Sequence, residues 1–250
     1  EITELNYDDT VELAFRQGRE KGWVVLQDTT APGYTEIPEW IMQGYTAMVD
    51  ESLDESSAMP KPSHVLLQMG VGSMAAAVVG YFTARFGESC PKFLVIEPWN
   101  AACGFASARA GELQSVGGDL ETMVAGLACG VPSSLAWPIL WENCSAFLRF
   151  RDDLAGNGMR LLHRYGLEAG ECGGAGAGVL QYLMQSSSCA SLREDVGLGS
   201  ESVVFFINTE GATDPANYKQ QLALPDVEGS GLLEVALGKS SQAAKRQRMQ

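Results

Sequence analysis

A short apolar run at residues 64–69 is followed by the glycine-containing stretch GVGSM at residues 70–74. Glycine lets the backbone approach a ligand closely, and the free N–H groups at the start of a helix attract anions. The stretch can therefore hold a phosphate group, to which the Ser73 hydroxyl would add a donor. It matches neither the Walker A pattern nor the pattern G-x-G-x-x-G, and a tight turn between a buried strand and a buried helix explains the same residues.

Three further clusters stand beside predicted strands or helices. The glycine-rich stretch at residues 171–178 opens a predicted helix and is either a ligand loop, a hinge or a close helix–sheet crossing. Asn208 and Thr209 follow an apolar run, where parallel α/β sheets carry ligands, although polar residues at strand ends also cap turns. Asp28 follows another apolar run and is either a general base or an aspartate that starts a turn.

Composition argues against several classes of protein and site. The formal net charge of -14 opposes binding to nucleic acid or to an anionic membrane, so we expect neither partner. Six cysteines without a C-x-x-C pair, beside two histidines, argue against a zinc site, a secreted disulfide framework and a Ser-His or Cys-His triad. No segment is apolar over the about 18–20 residues of a membrane span, and no signal peptide is visible. We therefore expect a soluble cytoplasmic protein without a metal.

The apolar pattern also predicts the elements that position these residues. Short β-branched runs predict strands at residues 23–27, 64–69, 93–98 and 202–208. Helical spacing and end signals predict helices at residues 6–22, from about 38 into the acidic run 50–57, and at 73–86, 120–129, 135–147, 152–165 and 177–185. This alternation predicts an α/β protein with a mainly parallel open sheet and helices on both faces.

The quoted motifs occur in the order found in one enzyme family. QDTTAPGY, HVLLQMGVGSMAAAVVGY, VIEPWNAAC, GECGGAGAGVL and INTEGATD resemble the diaminopropionate ammonia-lyases over about residues 6–218. These are pyridoxal-phosphate enzymes with the tryptophan synthase β and threonine dehydratase fold. The resemblance implies pyridoxal 5′-phosphate as cofactor, a homodimer, and elimination of 2,3-diaminopropionate to pyruvate and ammonia.

The resemblance also implies roles for individual residues. Asp28 corresponds to the catalytic aspartate that takes the α-proton of the D-enantiomer, whereas the Schiff-base lysine serves the L-enantiomer. Related enzymes often carry serine at the position of Asn208, so either Asn208 or Thr209 meets the ring nitrogen. Cys103 and Cys129 match a cysteine pair near the active site and are expected as free, buried thiols. The implied cofactor-binding residues are Gly70, Val71, Gly72, Ser73, Met74, Glu171, Gly173, Gly174, Asn208 and Thr209.

The Schiff-base lysine of the family has no counterpart in this sequence. In the family it lies upstream of the NYDD helix, in a segment resembling FKVLGGSY, and none of the six lysines here stands in such a segment. We therefore expect the N-terminal portion of the fold to be missing. Residues 1–36 would complete the smaller domain and the crossover, 37–225 would form the larger, phosphate-binding domain, and 226–250 a flexible tail.

Three explanations account for the lysine: an incomplete gene model, which we favour, a half that pairs with a separate N-terminal half, and a degenerate homologue. An ammonia-lyase is the leading interpretation of the function. Another β-eliminase of the same fold, such as a serine or threonine dehydratase, and a non-catalytic binding or regulatory protein are the alternatives. For the isolated 250-residue chain we expect weak cofactor binding and no turnover.

Overall fold

The computed structural model describes residues 4–55 and 60–242. In chain order, the helices and strands of this part of the chain are α1 (Tyr7–Lys21), α2 (Glu36–Glu55), β1 (His64–Gln68), α3 (Ser73–Phe86), β2 (Lys92–Pro98), α4 (Cys103–Ala110), α5 (Ala136–Asn143), β3 (Cys144–Phe150), α6 (Asp153–Arg164), α7 (Glu171–Gln185), α8 (Ala190–Val196), β4 (Val204–Phe206), α9 (Pro215–Ala223) and β5 (Leu233–Leu237).

The strands form one five-stranded sheet in the order β4-β1-β2-β3-β5. Strands β4, β1, β2 and β3 are parallel, and Val65 of β1 lies between Phe93 of β2 and Phe205 of β4. Strand β5 runs antiparallel to β3 at one edge. The predicted α/β class with a mainly parallel open sheet is therefore confirmed.

Alternate residues of the central strands pack on opposite faces of the sheet, as the two-residue period of a strand requires. On β2, Phe93 and Val95 belong to a core that also contains buried residues of α2, α3, α4 and α5. Leu94 and Ile96 belong to a second core with residues of α6, α7 and α8. Helices thus cover both faces, which explains why the strands read as continuous apolar runs.

The predicted start and end signals of α1 are both present. The Asn6 side-chain oxygen accepts a hydrogen bond from the Asp9 backbone N–H at 2.9 Å, and Gly22 ends the helix with a φ of 70°. Helix α3 is buried on several sides, as its apolar sequence predicts. The predicted acidic end of α2 is described only to Glu55, and residues 56–57 lie outside the described part of the chain.

Residues 23–27, predicted as a buried strand, pair with no strand in the described part of the chain. Leu26 is 76% exposed, and the Tyr34 hydroxyl donates to the Val25 carbonyl oxygen at 2.8 Å and accepts from the Gln27 N–H at 3.1 Å. The strand prediction is wrong here. An apolar, β-branched run expresses a local preference, whereas a strand also needs a neighbour with which to pair.

Residues 120–129, predicted as a helix, form a loop with one short 3-10 turn at Ala125–Leu127. The Asp152 carboxylate accepts hydrogen bonds from the Thr122 hydroxyl at 2.7 Å and from the Met123 N–H at 2.5 Å. These bonds anchor the loop to the residue before α6. The helix prediction is wrong, and Leu120, where the predicted helix would begin, has a φ of 56°, outside the right-handed helical region.

Three other boundaries differ from the predictions. The predicted helix at 135–147 is confirmed only for α5, since the chain passes directly into β3 at Cys144. A short apolar run fits a buried strand and a buried helix equally well. The segment 226–250 was expected to be a flexible tail, which is wrong for Leu233–Leu237 because these residues form β5. Helix α7 begins at Glu171, earlier than the predicted residue 177.

A buried arginine fastens the segment between α9 and β5 to α6. The Arg160 side chain is 8% exposed and donates to Asp226 Oδ1 at 2.7 Å, to the Gln221 carbonyl oxygen at 2.8 Å and to Asn157 Oδ1 at 2.6 Å. Asn157 in turn accepts from the Val227 N–H at 2.9 Å. Removing the guanidinium would take a donor from each of three acceptors, which would keep only their weaker or single remaining donors, Arg164 for Asp226, the Leu224 N–H for Gln221 and the Val227 N–H for Asn157.

We expect Arg160→Met to lower the free energy of unfolding by about 2–3 kcal/mol, since it breaks a largely buried charged network. Lys239→Met is the matched control, because the Lys239–Glu142 pair is more than half exposed and should contribute less than about 1 kcal/mol. Urea unfolding of both variants tests this. Equal losses of unfolding free energy in the two variants would contradict the stabilising role of the buried Arg160 network.

Candidate cofactor site

A cleft of about 530 Å³ lies where the connections of the sheet diverge. The chain leaves β1 through α3 towards β2, whereas it reaches β4, on the other side of β1, from β3 through α6, α7 and α8. Ligands of open α/β sheets bind at such a switch point, beyond the carboxyl ends of the strands. The sequence-predicted site residues that line the cleft are Asp28, Gly70, Val71, Gly72, Ser73, Met74 and Thr209.

The stretch 70–74 forms the turn into α3 at one end of the cleft. Gly72 has a φ of 101°, and a Cβ atom there would lie 3.1 Å from Met69 Cε and 3.2 Å from Leu140 Cδ1. Position 72 therefore requires glycine. Helix α3 begins at Ser73 without a side-chain cap, so the N–H groups of its first turn and its dipole are available to an anion.

The Ser73 hydroxyl has a partner within the protein. It donates to the backbone carbonyl oxygen of Asp28 at 2.7 Å, and Ser73 is 1% exposed. The hydroxyl proton is thus committed, which corrects the expectation that it serves as a free donor to the anion. The same hydrogen bond holds the segment that carries Asp28 against the start of α3.

Burial raises the pKa of the Asp28 carboxyl above its ordinary value. Two phenols also line the cleft, those of Tyr7 and Tyr45. The pKa of Tyr45 is raised by burial and by the charge of Asp28, and that of Tyr7 is raised by burial first and then by the Cys129 and Asp28 charges. The cleft therefore combines a carboxyl whose pKa is raised by burial with two phenols that stay protonated at neutral pH and can donate hydrogen bonds.

Of the two polar residues after β4, Thr209 lines the cleft and Asn208 does not. The Asn208 Nδ2 donates to the Glu168 carbonyl oxygen at 2.8 Å, and its Oδ1 lies 2.0 Å from where a Cβ atom of residue 173 would be. Asn208 thus packs against Gly173 and the start of α7. Of the two candidates for the ring nitrogen, Thr209 therefore lies at the cleft, and its contact with the ring stays a prediction.

Glu171, Gly173 and Gly174 are not among the residues that line the cleft, contrary to expectation, although Cys172 is. The Glu171 carboxylate accepts a hydrogen bond from the Asn217 side chain. A Cβ at position 174 would lie 2.8 Å from Met159 Cγ, so the small residues allow α7 to pack closely on α6. The close crossing with α6 accounts for Gly174 and Gly178, and the close approach of α7 to Phe206 of β4 accounts for Gly176.

Several residues that line the cleft were not singled out from the sequence. They are Tyr7, Tyr45, Gln68, Gly126, Leu127, Cys172, Glu210, Gly211 and Thr213. Glu210 accepts from the Cys172 N–H at 2.9 Å and from the Thr213 hydroxyl at 2.8 Å. Gln68 offered a usable signal, because it is a polar residue inside an apolar strand, directly before the glycine turn.

The thiols around the cleft are free and buried, as expected for Cys103 and Cys129. The Cys103 thiol donates to the Gly70 carbonyl oxygen at 3.6 Å. Burial raises the pKa of Cys129 to about 12 and that of Cys172 to about 12. These thiols therefore stay protonated and are poor nucleophiles at neutral pH.

Within residues 4–55 and 60–242, no lysine lines the cleft. Lys21 lies over the Trp23 ring, Lys61 over the Phe86 ring, and Lys92 donates to the Val196 carbonyl oxygen at 2.7 Å. The same residues contain no cluster of histidine, cysteine and acidic side chains that could hold a metal ion. No described helix combines the length and the apolar character that crossing a membrane requires.

Known proteins similar to this chain share its fold. This chain is 43% identical to the diaminopropionate ammonia-lyase of Salmonella typhimurium over 87% of its own length and 56% of that protein. A crystal structure of the holo diaminopropionate ammonia-lyase from Escherichia coli superposes with a TM-score of 0.81 at 40% identity, covering 88% of this chain and 57% of that one. Threonine deaminase isoform 2 from Solanum lycopersicum, 15% identical, has a TM-score of 0.65 over 84% of this chain and 54% of its own.

The chain spans about half the length of the curated relatives that it matches. The sequence model of the family described as "Pyridoxal-phosphate dependent enzyme" matches residues 1–208. The cleft fits such a cofactor, because the uncapped start of α3 can hold its phosphate and the hydroxyl of Thr209, after β4, lines the same cleft. Because the match covers well over half of its length, this chain belongs to the pyridoxal-phosphate dependent enzyme family.

Proposed function

We propose that this chain is part of a pyridoxal-phosphate-dependent ammonia-lyase that eliminates 2,3-diaminopropionate to pyruvate and ammonia. One observation carries the proposal: the uncapped start of α3 and Asp28 line the same cleft, and the Ser73 hydroxyl at the start of α3 donates to the Asp28 backbone carbonyl oxygen. The similarity to diaminopropionate ammonia-lyases supports the choice of substrate. A homodimer and a cytoplasmic location stay predictions, as do the boundaries of the two expected domains.

The cofactor would be held through its phosphate by the backbone N–H groups that follow Gly72. Glycine at this position keeps the turn open, and the dipole of α3 favours the negative charge. When bound, the cofactor supplies an electron-withdrawing ring that makes the α-proton of an amino acid more acidic. The work left for the protein is to orient the substrate and to remove that proton.

Asp28 is the group in the cleft best suited to remove the proton. The Ser73 hydroxyl holds its backbone carbonyl oxygen, the residue lines the cleft, and burial raises the pKa of its carboxyl, so that the ionised form is a stronger base. The phenols of Tyr7 and Tyr45 stay protonated and can donate hydrogen bonds to the substrate. Asp28 would thus accept the α-proton of the D-enantiomer at its carboxylate oxygen.

The lysine that attaches the cofactor is proposed to come from a segment outside these 250 residues. The placement of four lysines supports this proposal, because their partners lie away from the cleft. They are Lys21, Lys61, Lys92 and Lys239. A non-catalytic protein that binds the cofactor without a covalent bond would have the same placement. The test below separates this chain's own lysines from an external one.

We expect Gly72→Ala to weaken pyridoxal 5′-phosphate binding at least about tenfold, a loss of about 1.4 kcal/mol. The added Cβ meets Met69 and Leu140, and the positive φ strains alanine, so the phosphate turn must shift. Binding of unphosphorylated pyridoxal should change little. Calorimetric titration measures both, with Gly80→Ala on α3 as the control, since nothing lies within 4 Å of a Cβ there. Equal weakening for the two ligands would place the phosphate elsewhere.

We expect Asp28→Asn to slow α-proton exchange of D-diaminopropionate by about 10²-fold or more, in D₂O with pyridoxal 5′-phosphate present. Proton NMR of the substrate measures the exchange, and Asp9→Asn, an exposed carboxylate on α1, is the control. The rate should fall as the pH drops through the Asp28 pKa, which burial places above the ordinary aspartate range. An unchanged rate in Asp28→Asn would exclude this base.

The Asp28→Asn variant should not have a lower free energy of unfolding than the wild type at pH 7. A raised native pKa means that ionised Asp28 is disfavoured in the folded state, so the cost appears above the pKa of the unfolded chain and vanishes at low pH. A neutral asparagine avoids this cost. Thermal unfolding at pH 7 should therefore show Asp28→Asn at least as stable as the wild type, which separates lost exchange from unfolding.

We expect no stoichiometric modification of Lys21, Lys61, Lys92, Lys219, Lys239 or Lys245 after incubation with pyridoxal 5′-phosphate and reduction with borohydride. We also expect no pyruvate release from diaminopropionate, serine or threonine by the 250-residue chain. Peptide mass spectrometry and a pyruvate assay measure these results. A single fully modified lysine, or robust turnover, would show that the chain supplies its own attachment residue.

A further inference from the structure

Gln68 is a buried polar residue at the end of β1, directly before the phosphate turn. It is 3% exposed and lines the cleft. Its Nε2 donates to the Ile207 carbonyl oxygen at 2.9 Å and to the Thr209 Oγ1 at 2.9 Å. The side chain therefore joins the carboxyl ends of β1 and β4, the two strands that flank the cleft.

The orientation of this amide is fixed by its partners. A carbonyl oxygen only accepts hydrogen bonds, so the nitrogen of Gln68 must face Ile207, and a reversed amide would bring two acceptor oxygens together. Both amide protons are then used. The Oε1 atom is left buried and without a partner, which is uncommon for a buried acceptor. This oxygen stays unpaired because the amide nitrogen faces the Ile207 carbonyl oxygen and Thr209.

The orientation of Gln68 determines what the Thr209 hydroxyl can do. A hydroxyl has one proton to donate, and Thr209 already accepts the proton from Gln68. Its own proton is free to point into the cleft that it lines. Thr209 is thus prepared as a donor, and the atom it recognises must be an acceptor with a lone pair.

We propose that Gln68 is a positioning residue that fixes Thr209 as a hydrogen-bond donor, so that the cleft selects a ligand whose ring nitrogen is unprotonated. This inference rests on the proposed function, because a pyridine nitrogen is the acceptor that such a cofactor would bring to Thr209. A protonated nitrogen would place its N–H against the hydroxyl proton. Gln68 would therefore set a chemical state of the ligand and not only its position.

The charged groups that could oppose this selection are few. The titratable residues that line the cleft are Tyr7, Asp28, Tyr45, Cys129, Cys172 and Glu210. Glu210 is next to Thr209 and would favour a protonated nitrogen, but its carboxylate already accepts from the Cys172 N–H and the Thr213 hydroxyl. Asp28 is tied through its backbone to the phosphate end of the cleft. The phenols and thiols are uncharged at neutral pH.

The test uses pyridoxine 5′-phosphate labelled with ¹⁵N in the ring, which lacks the aldehyde and cannot bond to lysines. Its ¹⁵N chemical shift, followed with pH, reports whether the ring nitrogen is protonated when bound to the 250-residue chain. In the wild type we expect an unprotonated nitrogen at pH values where the free ligand is still protonated. Thr209→Ser keeps the hydroxyl and should behave like the wild type, whereas Thr209→Val should lose the effect.

Gln68→Glu is the decisive variant. Its carboxylate accepts hydrogen bonds, so Thr209 must turn its proton towards residue 68 and offer a lone pair to the ligand. We expect the midpoint of nitrogen titration to rise by at least about one pH unit relative to the wild type. A merely structural role would weaken binding without moving this midpoint. Should Gln68→Glu fail to fold, Gln68→Met removes the donor and should move the midpoint towards that of the free ligand.

Two results would overturn the inference alone: a protonated nitrogen in the wild-type complex, or a wild-type midpoint in the folded Gln68 variant. In either case the ligand still binds, and the proposed function stands. No binding of pyridoxine 5′-phosphate to the wild-type chain would overturn the proposed function and the inference with it.

Discussion

The hydrogen bond from the Ser73 hydroxyl to the Asp28 backbone carbonyl oxygen joins the start of α3 to the segment that carries Asp28, across 45 residues of sequence. On one side is the start of α3, where unpaired N–H groups attract an anion. On the other is a carboxylate whose base strength is raised by burial. Because Ser73 is almost fully buried, water competes little for this bond. A ligand anchored at the helix start is therefore held within reach of the candidate base.

Local dipoles, and not the net charge, decide where an anion binds in this molecule. The chain carries a formal charge of -14, yet the first turn of α3 presents backbone donors with no acidic residue among them. The two acidic residues that line the cleft, Asp28 and Glu210, differ in their hydrogen-bond partners. Glu210 is occupied by the Cys172 N–H and the Thr213 hydroxyl, and Asp28 is left as the basic group. Gln68 and Thr209, which also line the cleft, are uncharged and are joined to each other by a hydrogen bond.

The sequence predicts those features that are decided locally. The caps of α1, the buried helix α3 and the glycine turn before Ser73 depend on neighbouring residues and were found without the structure. Features decided by distant partners were missed. Asp152 anchors the loop at 120–129, the edge strand β5 exists because β3 pairs with it, and Tyr7 and Cys172 reach the cleft only through the fold. The resemblance assigns Gly173 and Gly174 to the cofactor, whereas in the fold Gly173 packs against Asn208 and Gly174 against Met159 of α6.

The central claim is that the phosphate of the cofactor lies at the start of α3. Amide ¹H–¹⁵N NMR of the 250-residue chain during titration with pyridoxal 5′-phosphate tests this claim directly. We predict that the largest saturable shifts occur at the N–H groups of Ser73, Met74 and Ala75, with inorganic phosphate reversing them by competition. Shifts concentrated elsewhere, for example at the arginine and tryptophan side chains around Trp99 and Arg149, would contradict the account.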